Sequence, residues 1–157
     1  MRKELQSFII VSAPLEEVFS YFFSLNPTVV LQNIWFVPKN EKNILNTDMI
    51  EPGDEELIYF QDGSTALYQL FSLIPRVSFS VHIDEFRSKR FKGFNAMRCH
   101  FTFTQLEHNK IIVDCRYQFY MDSSLRQLFF DLFLKGIIQK KLNADLALGA
   151  DKLHVLV

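Results

Sequence analysis

The stretch "MRCHFTFTQL" at 97–106 alternates without a slip. Met97, Cys99, Phe101 and Phe103 fall on one face, Arg98, His100, Thr102 and Thr104 on the other. Past "EHNK" (107–110), "IIVDCRYQFYM" repeats the pattern, setting Ile111, Val113, Cys115, Tyr117, Phe119 and Met121 against Ile112, Asp114, Arg116, Gln118 and Tyr120. Adjoining strands with one apolar and one polar face predict an antiparallel sheet covered on one side only. The next segment supplies a cover. Asp122 or Ser123 caps a helix running to about His154, roughly 30 residues or about 45 Å at the α-helical rise. Its inward stripe reads Leu125, Leu128, Phe129, Leu132, Phe133, Gly136 and Ile137, extended by Leu142, Leu146 and Leu153. The N-terminal half is apolar around more than half its circumference, which leaves Phe130, Leu134 and Ile138 as a second, outward patch. Gly136 costs about 1 kcal/mol relative to Ala, so it marks a bend or a close approach.

Upstream, Lys3 to Val11 alternates and turns apolar on both sides, as a strand buried within a sheet does. Ser12 caps a helix with Pro14 in its first turn and Glu16 and Glu17 at the dipole's positive end. Leu15, Val18, Phe19 and Phe22 form its stripe, and "LNP" (25–27) ends it. A short second helix covers Thr28 to Gln32, and "IWFVP" (34–38) reads as a strand closed by its proline. "KNEKNILNTDMIEPGDEE" holds five acids between Asp48 and Glu56 and reads as a solvated loop rather than a charged lip. Strands follow at "LIYF" (57–60), "TALYQLFSLI" (65–74) and "VSFSVHIDEF" (77–86), the last with Val77, Phe79, Val81 and Ile83 in phase.

A chain of 157 residues suits a single domain over 1–157. With 17 basic against 18 acidic residues there is no nucleic-acid footprint, and no nucleic-acid partner is expected. Cys99 and Cys115 lack CxxC spacing and read as small buried hydrophobes rather than a metal or redox pair. No histidine pair has helical metal spacing, so neither metal nor cofactor is expected. No leader pattern is visible, nor an apolar run of about 18 residues, and the expectation is a cytoplasmic protein.

Strand, two short helices, a strand meander and one long C-terminal helix is the order of the helix-grip fold. "VSAPLEEVFSYF" resembles the first strand-to-helix junction of the START-like (SRPBCC) superfamily, which includes polyketide cyclases, lipid-transfer domains and birch-pollen-allergen-type proteins. "YQLFSLIPRVSFSVHIDEF", "RFKGFNAMRCHFTFTQ" and "KIIVDCRYQF" resemble a small bacterial ligand-binding branch of it. The resemblance spans nearly the whole chain, with departures. Ser72 stands at that branch's glycine, Phe79 and Met97 at its tryptophans, and Cys99 and Phe101 at its two histidines, and no proline follows Gly93. Phe103, Asp114 and Tyr117 are kept or nearly so. The resemblance implies an α+β fold, a curved antiparallel sheet of six or seven strands wrapped around the long helix. It also implies a cavity between them, here more apolar than in the relatives. Periodicity alone leaves core and cavity open, because both present apolar inward faces.

No catalytic constellation emerges. His82 and Asp84 share a strand face, but the polar one. Asp114 and Arg116 share an outer face, where an ion pair adds little. The inward polar candidate is Tyr117, whose phenol can orient a bound carbonyl or hydroxyl, with Tyr59 and Tyr68 as partners. The expected pocket wall comprises Phe22 from the first helix and Phe79, Met97, Cys99 and Phe101 from the middle strands. Val113, Cys115, Tyr117 and Phe119 follow from the last strand, with Leu128, Phe129 and Leu132 from the long helix. The leading reading is binding or carriage of a lipid-like or polycyclic hydrophobic small molecule without catalysis. The alternatives are a cyclase or dehydrase-type enzyme, and a module that meets a second copy or a membrane surface through the helix's outer face.

Overall fold

The computed structural model describes residues 2–32, 34–45 and 49–155. Strand β1 (Arg2–Val11) leads to helix α1 (Leu15–Ser24) and a 3₁₀ turn at Pro27–Leu31. Strands β2 (Glu55–Tyr59), β3 (Thr65–Ile74) and β4 (Ser78–Asp84) follow, then a 3₁₀ turn at Lys89–Phe91. The long strands β5 (Phe94–Glu107) and β6 (Lys110–Met121) precede α2 (Ser124–Phe129). A π-helical segment (Phe130–Leu134) then joins α2 to α3 (Lys135–Val155). The six strands form one antiparallel sheet in the order β1-β6-β5-β4-β3-β2. Asp48, one of the five acids of the polar stretch, lies outside the described residues.

The strand faces follow the alternation. Phe79 pairs with Phe101 across β4 and β5, and Cys99 with Tyr117 across β5 and β6, all turned to the buried side. A one-residue slip would have put every one of these in water. Ser123 caps α2, its hydroxyl accepting from the Arg126 amide, a contact of about 1 kcal/mol. Helix α3 lies against β1, tied by Gln139 to the Gln6 carbonyl at 3.1 Å and by Ser7 to Asn143 at 2.6 Å.

Five expectations are corrected. Residues 34–38 do not form a strand: the Val37 amide bonds back to the Ile34 carbonyl, bending the chain and turning Trp35 outward, 92% exposed. Strand β1 is an edge strand, so Phe8 and Ile10 face solvent. Pro14, not Ser12, occupies the N-cap of α1, with no side-chain cap bond. Asp114 accepts from Gln6 and Arg116 pairs with Glu4, diagonal neighbours across the β1–β6 ladder that long polar side chains reach, and not with each other.

The fifth correction is the largest. The first half of the C-terminal helix turns the opposite way round. Phe130 is 1% exposed, Ile138 is buried and Leu134 half-buried, whereas Leu125, Leu128, Phe129, Leu132, Phe133 and Ile137 are exposed. A π turn spans Phe130–Leu134, and the buried line continues through Leu142, Leu146 and Leu153 as expected.

The candidate binding cavity

The space beneath the middle strands is filled by the protein's own rings. Phe19 and Phe22 of α1 drop onto β4 and β5, where Phe79 and Phe101 stack at 4.9 Å and Phe19 meets Phe79 edge-on at 5.7 Å. Such pairs add to the area that Phe buries. Here the question left open by periodicity is decided in favour of core.

A cavity of about 250 Å³ opens at one end of this core. One wall is the inward line of the long helix, Phe130, Leu134 and Ile138. A second is Phe91, Phe94 and Met121 at the ends of the strands, and the third is Leu31, Ile34 and Val37 from the bent segment. Ring contacts Phe94–Phe119 at 6.0 Å and Phe119–Phe130 at 5.3 Å join these walls to the core. Among the described residues the charged side chains on the lining are Arg90, Lys92 and Arg126, all exposed at the rim beside the rings of Phe36 and Phe129.

Gly93 sets part of that rim. Its φ is +82°, and a Cβ there would lie 1.8 Å from Arg126 Nε, so the Arg126 side chain packs where only glycine leaves room. Asp122 holds the same guanidinium at 3.2 Å, and the Asp122 amide donates to the Gly93 carbonyl. A second hollow of about 430 Å³, with Glu41, Lys42, Glu56 and Tyr59 on its wall, mixes charge with apolar surface and offers no comparable apolar enclosure.

Of the residues singled out from sequence, Phe129 lines the cavity. Phe22, Phe79, Met97, Cys99 and Phe101 are buried in the packed interior, as are Val113, Cys115, Tyr117 and Phe119. Leu128 and Leu132 face solvent. The Tyr117 phenol is buried, and that burial, with Cys99 beside it, holds it well above its ordinary pKa. Burial likewise raises the Cys99 thiol, and pushes that of Cys115 up to about 12. Tyr68 is buried and its phenol raised for the same reason, whereas Tyr59 points outward. His82 sits on the outer sheet face, 3.4 Å from Asp84 and accepting from Arg98.

Two features had no sequence signal that was read. Asp145 on α3 has an inward carboxylate, one oxygen held by Lys141 at 2.7 Å and the other buried without a hydrogen-bond partner. Burial raises its pKa, against the pull of Lys141. Within the long helix the glycine of close approach is Gly149, where a Cβ would come within 2.8 Å of the Tyr21 ring, and not Gly136, whose Cβ would meet open space. Among the described residues no three His, Cys, Asp or Glu are placed to hold a metal, and no helix is long and apolar enough to cross a membrane.

A six-stranded antiparallel sheet with a long C-terminal helix packed on it is the helix-grip architecture of START-like (SRPBCC) proteins, and the chain has that fold. Solved structures make the likeness specific. The Zhui aromatase/cyclase from a Streptomyces species superposes with a TM-score of 0.63 at 13% identity, over 98% of this chain and 94% of its own. Norcoclaurine synthase from Thalictrum flavum, solved with dopamine and hydroxybenzaldehyde, gives 0.59 at 13%, over 99% of this chain and 87% of its own. A polyketide-cyclase-like protein from Corynebacterium glutamicum gives 0.59 at 14%, over 99% and 93%. No protein-family model and no curated protein sequence matches the chain.

Proposed function

We propose that the protein binds or carries a hydrophobic small molecule in the cavity between the end of the sheet and the first half of the C-terminal helix. The observation that carries this reading is the cavity's chemistry. Its walls are aliphatic and aromatic, and its polar groups stand at the rim, as in sites that enclose an apolar body and orient it by a few polar contacts. Its size bounds the ligand. About 250 Å³ is the space of roughly eight waters at their liquid volume. A ring system or a short acyl chain fits within it, and anything longer extends past Phe36 and Phe129. The bound dopamine and hydroxybenzaldehyde of norcoclaurine synthase are molecules of that modest size on the same fold. Among the described residues the only titratable side chains on the cavity wall are the cations Arg90, Lys92 and Arg126, and this favours carriage over cyclase chemistry.

Native mass spectrometry of the purified protein, followed by solvent extraction, tests the reading. A stoichiometric apolar passenger, or uptake of a naphthalene-type fluorescent probe, is the expected result. Ile138→Trp should block uptake by filling the space. A bare protein that takes up no aromatic or acyl probe would overturn the proposal.

A further inference from the structure

The exposed face of the C-terminal helix is continuous with the cavity's mouth. Leu125 and Leu132, 76% and 66% exposed, stand on one side with Leu128. A track of rings then crosses the rim: Phe133 to Phe129 at 5.1 Å, Phe129 to Phe36 at 6.5 Å, and Phe36 to Trp35 at 5.5 Å. Cations surround this track. Arg90, Lys92 and Arg126 are on the rim, Lys89 is in the same 3₁₀ turn, and Lys135 follows Leu132 at i+3. Three acids lie nearby: Asp122 is paired with Arg126, Asp131 with Lys3 at 2.8 Å, and Asp62 lies close to Arg90, so the excess of positive charge rests on Lys89, Lys92 and Lys135. A chain of net charge -1 thus places several of its cations around an exposed apolar face.

We infer that this face docks on an anionic lipid surface, with the mouth of the cavity turned toward the bilayer. A helix with leucine and phenylalanine on one side and basic residues at the margin lies in the interfacial plane of a membrane. Tryptophan is enriched at that depth because its ring is apolar and its N–H polar, and Trp35 stands at the edge of the patch. A second copy of the chain fits the surface less well, since a two-fold contact sets the cationic rim against itself. Docked this way, an apolar molecule passes between membrane and cavity without crossing water. That last step rests on the cavity reading above, and the docking does not.

Trp35, the single tryptophan of the chain, reports the contact directly. With vesicles of phosphatidylcholine and phosphatidylglycerol its emission should shift to the blue and be quenched by brominated acyl chains. Binding should weaken with added salt and be at least about tenfold poorer on phosphatidylcholine alone. Leu128→Asp and Leu132→Asp change exposed side chains, so the fold stays intact by circular dichroism. Each should weaken vesicle binding by about tenfold or more, the loss expected for one leucine's burial. Unchanged Trp35 emission, equal binding to neutral vesicles, or leucine variants that instead dissociate a dimer would each overturn the proposal. Vesicle binding by a protein that takes up no probe would uphold the docking and refute only the cavity reading.

Discussion

Truncating Phe79 to alanine separates a packed interior from a hollow one. The ring is 1% exposed and has aromatic neighbours on several sides: Phe101 stacked at 4.9 Å, Phe23 edge-on at 5.1 Å, Phe19 edge-on at 5.7 Å and Phe103 at 6.0 Å. Returning a phenylalanine side chain to water costs about 1.5–3 kcal/mol by area alone. Substitutions of this kind in close-packed cores cost about 3–5 kcal/mol, because the void left behind strips neighbouring atoms of their contacts. With this many rings around it and two of them on the same helix, the site has little room to collapse. The upper half of that range, about 4–5 kcal/mol, is expected. Urea unfolding followed by circular dichroism gives the value, read from a shift in midpoint at unchanged slope. A loss of 2 kcal/mol or less would mean that Phe79 already faced open space. The account of a core filled by its own rings would then be wrong.

Other perturbations read other parts of the structure. Gly136→Ala should raise stability by about 1 kcal/mol, since the site is helical and open, and a thermal melt that moves downward would contradict this. Gly149→Val should lower stability by more than about 1 kcal/mol, because α1 and α3 meet there through Tyr21 and Phe22; an unchanged urea midpoint would show that the helices have room to part. Neither Cys99 nor Cys115 should react with iodoacetamide at pH 8 until denaturant is added, and labelling of the native protein would expose an unrecognised opening. Asp145 is harder to ionise folded than unfolded, so stability should fall as pH rises from the ordinary carboxylate range, about 4, through its raised folded value. Asp145→Asn should flatten that slope in urea titrations at successive pH values, and two parallel profiles would refute the assignment.

The strands were legible residue by residue because a pleated strand has only two faces, and in "MRCHFTFTQL" and "IIVDCRYQFYM" composition chooses between them. The buried half of α3 was legible for a related reason: Leu142, Leu146 and Leu153 lie among polar neighbours. Residues 125–138 offered no such contrast. Apolar side chains occupy both sides of that helix, and burial of either set satisfies periodicity equally well. The packing of Phe130 on Phe119 is what the tertiary structure adds.

The sequence by itself determined the inward face of the middle strands and the helix that follows them, since those are local periodicities, and its resemblance to START-like proteins implied the class of fold. Tertiary structure alone decided where the phenylalanines leave space. It placed the cavity at the bent 34–37 segment and the 90–94 loop, residues without a shared period, and set Phe36 beside Phe129 across 93 positions of chain. A void belongs to no residue. It is the remainder after rings from α1, β4, β5 and β6 have met, and its place is defined only once they have.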